Sequence, residues 1–152
     1  MSGKVNPIPE GFHTITPYFI VNDGNKFIGF LKEAFNAVEN HRTVTPDGRI
    51  MHAQLKIGDS FVMMGESTGE WKPMPCTIYM YVPDVDSVYN KALNGGAKKL
   101  REPANEFYGD RICGIEDTWG NQWWISTHVE DVSPEEMKKR EEEMMKQMER
   151  KS

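Results

Sequence analysis

The sequence predicts an α+β fold: two tandem βαβββ modules forming curved, cup-like mixed sheets with helices outside, followed by a C-terminal helix. Three observations predict it. The 152-residue chain repeats itself at an offset of 61 to 62 residues; each half runs from an apolar strand into a helical pattern and then into three short extended runs; and glycine turns divide those runs at matching places. Val21 and Asp23 recur as Val82 and Asp84, Gly48 in Pro46-Asp47-Gly48 as Gly109 in Tyr108-Gly109-Asp110, and Gly58 as Gly120. Two copies are too few for a solenoid, so the duplication implies a paired domain with its natural site between or inside the copies. Module one spans about 12–66 and module two about 76–130, together one domain over 1–132, with the added helix over 133–152.

Each element has its own signal. Pro7, Pro9 and Gly11 make 1–11 an irregular arm leading into a first strand over about 13–22. Phe27, Ile28, Phe30, Leu31, Ala34 and Phe35 recur at helical spacing. A second helix over about 85–94 carries Val85, Val88, Tyr89, Ala92 and Leu93 and stops at Gly95-Gly96. Extended runs follow at 41–45, 49–57 and 61–64, and again at 97–102, 111–116 and 122–128. Gly69, Pro73 and Pro75 mark 67–75 as the linker. Ser133 caps the last helix, with Pro134 in its first turn and Glu136 at the capping-box position. Its Met137, Met144, Met145 and Met148 form a narrow stripe that packs on the body or a partner subunit, or stays largely solvated.

A net charge of −5 with both signs interleaved leaves no electrostatic footprint for nucleic acid or an anionic membrane. No apolar run approaches the roughly 18 residues of a membrane span, and the first residues contain no apolar segment, so the expected location is the cytoplasm. Cys76 and Cys113 lack a Cys-x-x-Cys pairing and read as reduced, small apolar residues.

Strand alternation separates a helix-covered face from an opposite one. Ile78, Met80 and Val82 oppose Thr77, Tyr79 and Tyr81, and Ala53, Leu55 and Ile57 oppose His52, Gln54 and Lys56. The polar-aromatic sets line the inside of the sheets, joined by Thr16, Tyr18 and Ile20 through the repeat and by Gln122, Trp124, Ser126 and His128 in the last strand. Aromatic walls with a few hydrogen-bonding groups suit a small-molecule pocket, to which Met64 is also assigned. His52, Gln54 and Glu116 could serve acid–base chemistry or a metal, although a strand histidine is commonly a structural, hydrogen-bonded residue. Tyr108 and Arg111 enter the second sheet; the arginine binds a carboxylate or phosphate, or pairs with Asp110, Glu116 or Asp117. Trp123 falls in the core and Trp124 on the pocket wall, while His13, His41 and His128 are rim or surface residues. Ser60, Ser126 and Cys113 have no base at a supported distance, so nucleophilic catalysis has no footing.

These residues carry a family resemblance over about 12–130. The repeated unit, Thr16-Pro17-Tyr18, Pro46-Asp47-Gly48, His52-Ala53, Gly58-Asp59-Ser60 and Val82-Pro83-Asp84-Val85-Asp86 resemble the PhnB-like branch of the vicinal oxygen chelate superfamily. So do Tyr108-Gly109-Asp110-Arg111 and the run Glu116-Asp117-Thr118-Trp119-Gly120-Asn121-Gln122-Trp123. That superfamily contains glyoxalase I, extradiol dioxygenases, and fosfomycin- and bleomycin-resistance proteins. The resemblance implies a glyoxalase-like cup, a homodimer that completes it, and, in the enzymes, a divalent metal held from the first and last strand of each module. Counting seven residues back from Asp23 and Asp84 reaches Thr16 and Thr77; four residues past Gly120 and Gly58 lie Trp124 and Val62, or Met63 if the turn is one longer. Divalent ions take carboxylate, imidazole or thiolate, so no metal cofactor is expected there. Where the branch reads Asp-Pro-x-Gly-His, this chain has Asp117-Thr118-Trp119-Gly120-Asn121, which lacks that imidazole.

Three functions remain open on the sequence. The first is a metal-free binder of a small, partly aromatic or amphipathic molecule, as in the bleomycin-resistance type. The second is a metal-dependent lyase, isomerase or dioxygenase with ligands moved to His52, Glu116 or a partner chain. The third is a dimeric interaction module using the Met-striped helix, its cup filled by side chains.

Overall fold

The computed structural model describes residues 3–151. Met1 and Ser2 of the predicted arm and Ser152 of the predicted C-terminal helix lie outside the described residues. The chain runs β1 (Tyr18–Val21), α1 (Gly24–Phe35), β2 (Val38–Val44), β3 (Ile50–Ile57), β4 (Ser60–Glu66), β5 (Thr77–Tyr81), α2 (Val85–Asn94), β6 (Lys98–Asn105), β7 (Asp110–Glu116), β8 (Gln122–His128) and α3 (Pro134–Lys151). Two four-stranded sheets form, ordered β1-β4-β3-β2 and β5-β8-β7-β6, each with one parallel pair and two antiparallel pairs. Strand β1 is shorter than its apolar run because Pro17 has no N–H for a ladder, although its carbonyl still accepts from Met63 N–H at 2.9 Å.

The duplication persists in the hydrogen bonds. Helix α1 begins under Glu66, whose carboxylate accepts from Gly24 N–H at 3.2 Å and from Ile50 N–H at 2.6 Å. Its repeat equivalent, Thr127, accepts from Val85 N–H at 2.8 Å at the start of α2. Asp84 adds a side-chain cap to α2, accepting from Ser87 N–H at 3.3 Å. Helix α1 ends at Asn36, a left-handed residue (φ 55°) whose N–H reaches Lys32 O.

The two modules share one core. Helices α1 and α2 touch, and the Trp123 ring lies 5.3 Å from Phe19 and 4.6 Å from Phe35 between ring centroids, while Trp119 meets Phe27 edge-on at 5.1 Å. Trp123 and Trp119 therefore carry module two into the core of module one. The helix-covered faces pack inward and the other two stay open: Tyr79 is 49% and Tyr81 62% exposed. Helix α3 buries no residue: Met137 and Met144 are half-buried and Met145 and Met148 more than half exposed, so the stripe does not pack fully on the body. Arg140 ties its start to the body through Glu130 at 2.9 Å and Phe107 O at 2.8 Å, and pairs within the helix with Glu136 at 3.1 Å.

Asp117, only 4% exposed, organises the junction. Its carboxylate accepts from Trp119 N–H, both Asn121 backbone and side-chain N–H, and Trp123 Nε1–H, each at 2.9 Å. Asn121 Oδ1 in turn accepts from Cys76 N–H at 2.8 Å, which pins the start of β5. Asn121 is thus the structural residue at the position where the branch has histidine. Replacing Asp117 with Ala strands several buried donors and is expected to lower the unfolding free energy by about 3 kcal/mol. Urea titration checks this, with exposed Thr118→Ala expected within about 0.5 kcal/mol of the parent.

Candidate functional site

The open face of module one carries Tyr18, Met63, Gln54 and His41 in one cross-strand row through β1, β4, β3 and β2. His52 stands one step along β3, opposite Thr43. Gln54 Nε2 donates to His52 Nε2 at 3.3 Å, leaving Nδ1 to carry the proton 3.4 Å from Tyr18 Oη. Burial, and then the neighbouring His41, lower the His52 pKa below 6.5, so the ring is a neutral imidazole at pH 7. Trp71 of the linker, with its ring 5.4 Å from Tyr18, bounds this face.

One expectation is corrected here. Met64 does not line a pocket: it is 0% exposed, opposite Phe19 and Ala53 in the core, and Met63 holds the open-face position. The Gly58 turn fixes the phase of β4, and a one-residue slip moves every side chain to the other face. His41 is exposed, as a rim or surface residue should be, and its ring lies 6.5 Å from that of His52. A register shift between Glu39 and His41 breaks the alternation from which its face would be inferred.

The open face of module two is more highly organised. Asp110, 4% exposed, accepts from Tyr81 Oη at 2.9 Å and Tyr79 Oη at 3.2 Å on one oxygen, and from His128 Nδ1 at 2.8 Å on the other. His128 Nε2 reaches the exposed Asp131 at 2.7 Å, and Ser126 Oγ donates to Tyr79 Oη at 2.9 Å. Tyr108 is half-buried beside this network, and burial comes first among the causes that raise its phenol pKa. Trp124 lies beside Tyr79 in the register, its ring over Gly114, where an added Cβ would sit 2.5 Å from Cζ3; only glycine leaves that room. Its Nε1–H donates to Gln122 Oε1 at 3.3 Å.

Arg111 is a second correction. It opposes Thr127 and turns to the helix side, where it grips Asp86 of α2 at 2.8 and 3.0 Å and Asn105 at 3.1 Å. With Asp110 inward, alternation sends residue 111 outward. The salt-bridge alternative is therefore observed, though with Asp86 rather than any of the acids named from sequence. Asp110 and Tyr81 lie outside the site residues expected from sequence: Tyr81 shares the face of Tyr79 by alternation, but the pairing of Asp110 with His128 is visible only in the register. Glu116 lies on the β7 sheet, opposite Gln122, and is not brought to His52 within one chain.

Thr16 precedes β1, Thr77 opens β5 opposite Gln122, Val62 is buried in the core, and Trp124 covers Gly114. Hydroxyls, an aliphatic group and an indole whose N–H is already used do not fit a divalent ion. Among the described residues no group of three or more His, Cys, Asp or Glu side chains could hold one. A groove of about 950 Å³ runs between the modules along the free edge of β5, walled by Phe35, Ile57, Ile78, Met80 and Val88.

The two histidines titrate apart. Hydrogen bonds to Asp110 and then Asp131 raise the His128 pKa above 6.5, so the stability they supply is complete below pH 6.5 and lost as pH rises through the folded value. For Asp110, burial pushes the carboxyl up, but the bonds from His128, Tyr81 and Tyr79 outweigh it and hold it below 3.8; that contribution is lost as pH falls through the folded value. Tyr81 is pushed up to about 12, chiefly by donating to Asp110. NMR titration of the imidazole resonances is expected to place His52 below 6.5 and His128 above it. His128→Gln should remove the high-pH loss of stability while leaving the His52 curve in place.

The family model of the Glyoxalase/Bleomycin resistance protein/Dioxygenase superfamily matches residues 11–125. The chain is 32% identical over 134 residues to the uncharacterized protein Mb0911c of Mycobacterium bovis, covering 81% of this chain and 88% of the relative. It is equally identical to Rv0887c of Mycobacterium tuberculosis, covering 79% of that protein. Among solved structures, TioX from Micromonospora sp. ML1 has the same fold with a TM-score of 0.66 at 20% identity, over 77% of this chain and 99% of that one. The PhnB protein from Bacillus cereus follows with a TM-score of 0.62 at 14% identity, over 76% and 99%. The repeated modules, their sheet order and these matches together make the chain a member of the glyoxalase/bleomycin resistance protein/dioxygenase superfamily.

Proposed function

We propose that the chain is a small-molecule-binding protein of the bleomycin-resistance, PhnB-like type, which holds its ligand on the open sheet faces and uses no metal ion. The observation that carries this reading is the residue set at the four positions where the family's enzymes hold their ion: Thr16, Thr77, Trp124 and Val62 or Met63. Tyr18, His52 and Gln54 on one face, and Tyr79, Tyr108 and Trp124 on the other, supply aromatic surface and a few fixed polar groups. A homodimer completes the cup, which is supported by the open faces and by the apolar groove along the unpaired edge of β5. The cytoplasm is the matching compartment, supported by two free cysteines and by the lack of any helix, among the described residues, long and apolar enough to cross a membrane.

Elemental analysis of protein purified without chelator or affinity-tag metal tests the reading. Substoichiometric metal is expected, together with a co-purified organic mass or a fragment hit on the open faces. Stoichiometric zinc, nickel, iron or manganese that disappears in His52→Ala would overturn it. Sedimentation should give a dimer that survives truncation after Val132, because the proposed interface is the groove along the β5 edge and not α3. Trp124→Ala should weaken ligand binding about tenfold, the loss of one stacked aromatic wall.

A further inference from the structure

We infer that the open face of module two is a cation site that takes a small organic ammonium ion; this rests on the small-molecule reading above and names the class of its ligand. The argument is the direction of the hydrogens. A phenol has one proton to donate and two lone pairs to accept with. Tyr79 and Tyr81 both spend their proton on Asp110, at 3.2 and 2.9 Å, and Ser126 spends its own on Tyr79 at 2.9 Å. The indole N–H of Trp124 is spent on Gln122 at 3.3 Å. What these groups present outward is the free lone pairs of Tyr81 and the π-faces of Tyr79, Tyr81 and Trp124. A carboxylate, phosphate or carbonyl ligand would meet oxygen with oxygen, whereas an ammonium group meets acceptors for its N–H and ring faces for its charge.

Charge points the same way. Asp110 is an anion held inside the network, Asp131 is a second, and His128 lies between them with one nitrogen on each. Even with His128 protonated, the three groups carry one net negative charge beside the tyrosine rings. The arginine next in sequence does not cancel it, because Arg111 is turned to the other side and gripped by Asp86. The Tyr79 and Tyr81 rings, 5.5 Å apart at 55°, form a corner rather than a flat plate, so a rounded cation head contacts both at once. Module one offers no comparable surface, since its His52 is neutral and presented beside the amide of Gln54.

The test compares three probes with one arene and different head groups: 2-phenylethylammonium, 2-phenylethanol and phenylacetate. Calorimetry on the full chain measures affinity, and aromatic NMR shifts locate the contact. The ammonium is expected to bind about tenfold tighter than the alcohol, and the carboxylate most weakly. Added salt should narrow the gap. Asp110→Asn should abolish the preference for charge, and Tyr81→Phe, which keeps the ring and removes the outward acceptor, should weaken only the ammonium. Equal or tighter binding of the alcohol or carboxylate, or ammonium shifts that miss Tyr79, Tyr81 and Trp124, would overturn the inference while leaving the small-molecule reading intact. If none of the three shifts a residue on either open face, and a screen of aromatic fragments also fails there, both fall together.

Discussion

Trp123 belongs to module two by sequence and to module one by packing: its ring lies against Phe19 and Phe35, and its Nε1–H is held by Asp117. Burying an indole is worth about 4–6 kcal/mol before entropy is charged against it, far above what a solvated ion pair supplies. The wedge, rather than surface pairs such as Arg42 with Glu39, therefore fixes how the halves meet. Once the helix-covered faces are joined by it, the remaining faces can only point outward. Two half-cups facing solvent are the direct consequence, and a ligand site on them is an arrangement that a single chain leaves open.

The duplication is conserved in scaffolding and discarded in chemistry. Glu66 and Thr127, equivalent in the repeat, both accept the first backbone N–H of the helix that follows their module's first strand. Such positions are constrained by backbone donors that must be satisfied wherever a helix starts. The open faces carry no such constraint and have diverged. Module one holds a neutral imidazole among an amide, a phenol and a thioether; module two holds a carboxylate fed by three donors. One fold thus presents two unlike surfaces, which suits an amphipathic ligand better than a symmetric one.

Local signals made much of this legible from sequence. The repeat offset, the helical spacing from Phe27 to Phe35 and the glycine turns are properties of short segments, and α2 and β8 follow their predicted limits. Ser133 also caps α3 as its motif implies, accepting from Glu136 N–H at 3.1 Å. What failed depended on phase. Met64 falls one residue out of step in β4, and Arg111 follows an open-face Asp110 that the sequence does not single out. The Asp110 network was out of reach for a related reason: it joins residues from β5, β7 and β8, and only the three-strand register shows that they meet.

That network also bears on what becomes of a family cup without an ion. In the metal-dependent relatives that the sequence resembles, a divalent cation sets the field of the cup and draws ligand oxygen to it. On the proposed metal-free reading, the field must come from side chains alone, and the best-ordered charge on either face is the carboxylate of Asp110. An unshielded buried carboxylate would be protonated or expelled; three donors keep it ionised, as its lowered pKa records. Those donors are consumed in the process, so the outward surface inherits the sign of the anion and none of their protons. On that reading, the scaffold that gathers oxygen around a metal in those relatives gathers positive charge around oxygen in this chain.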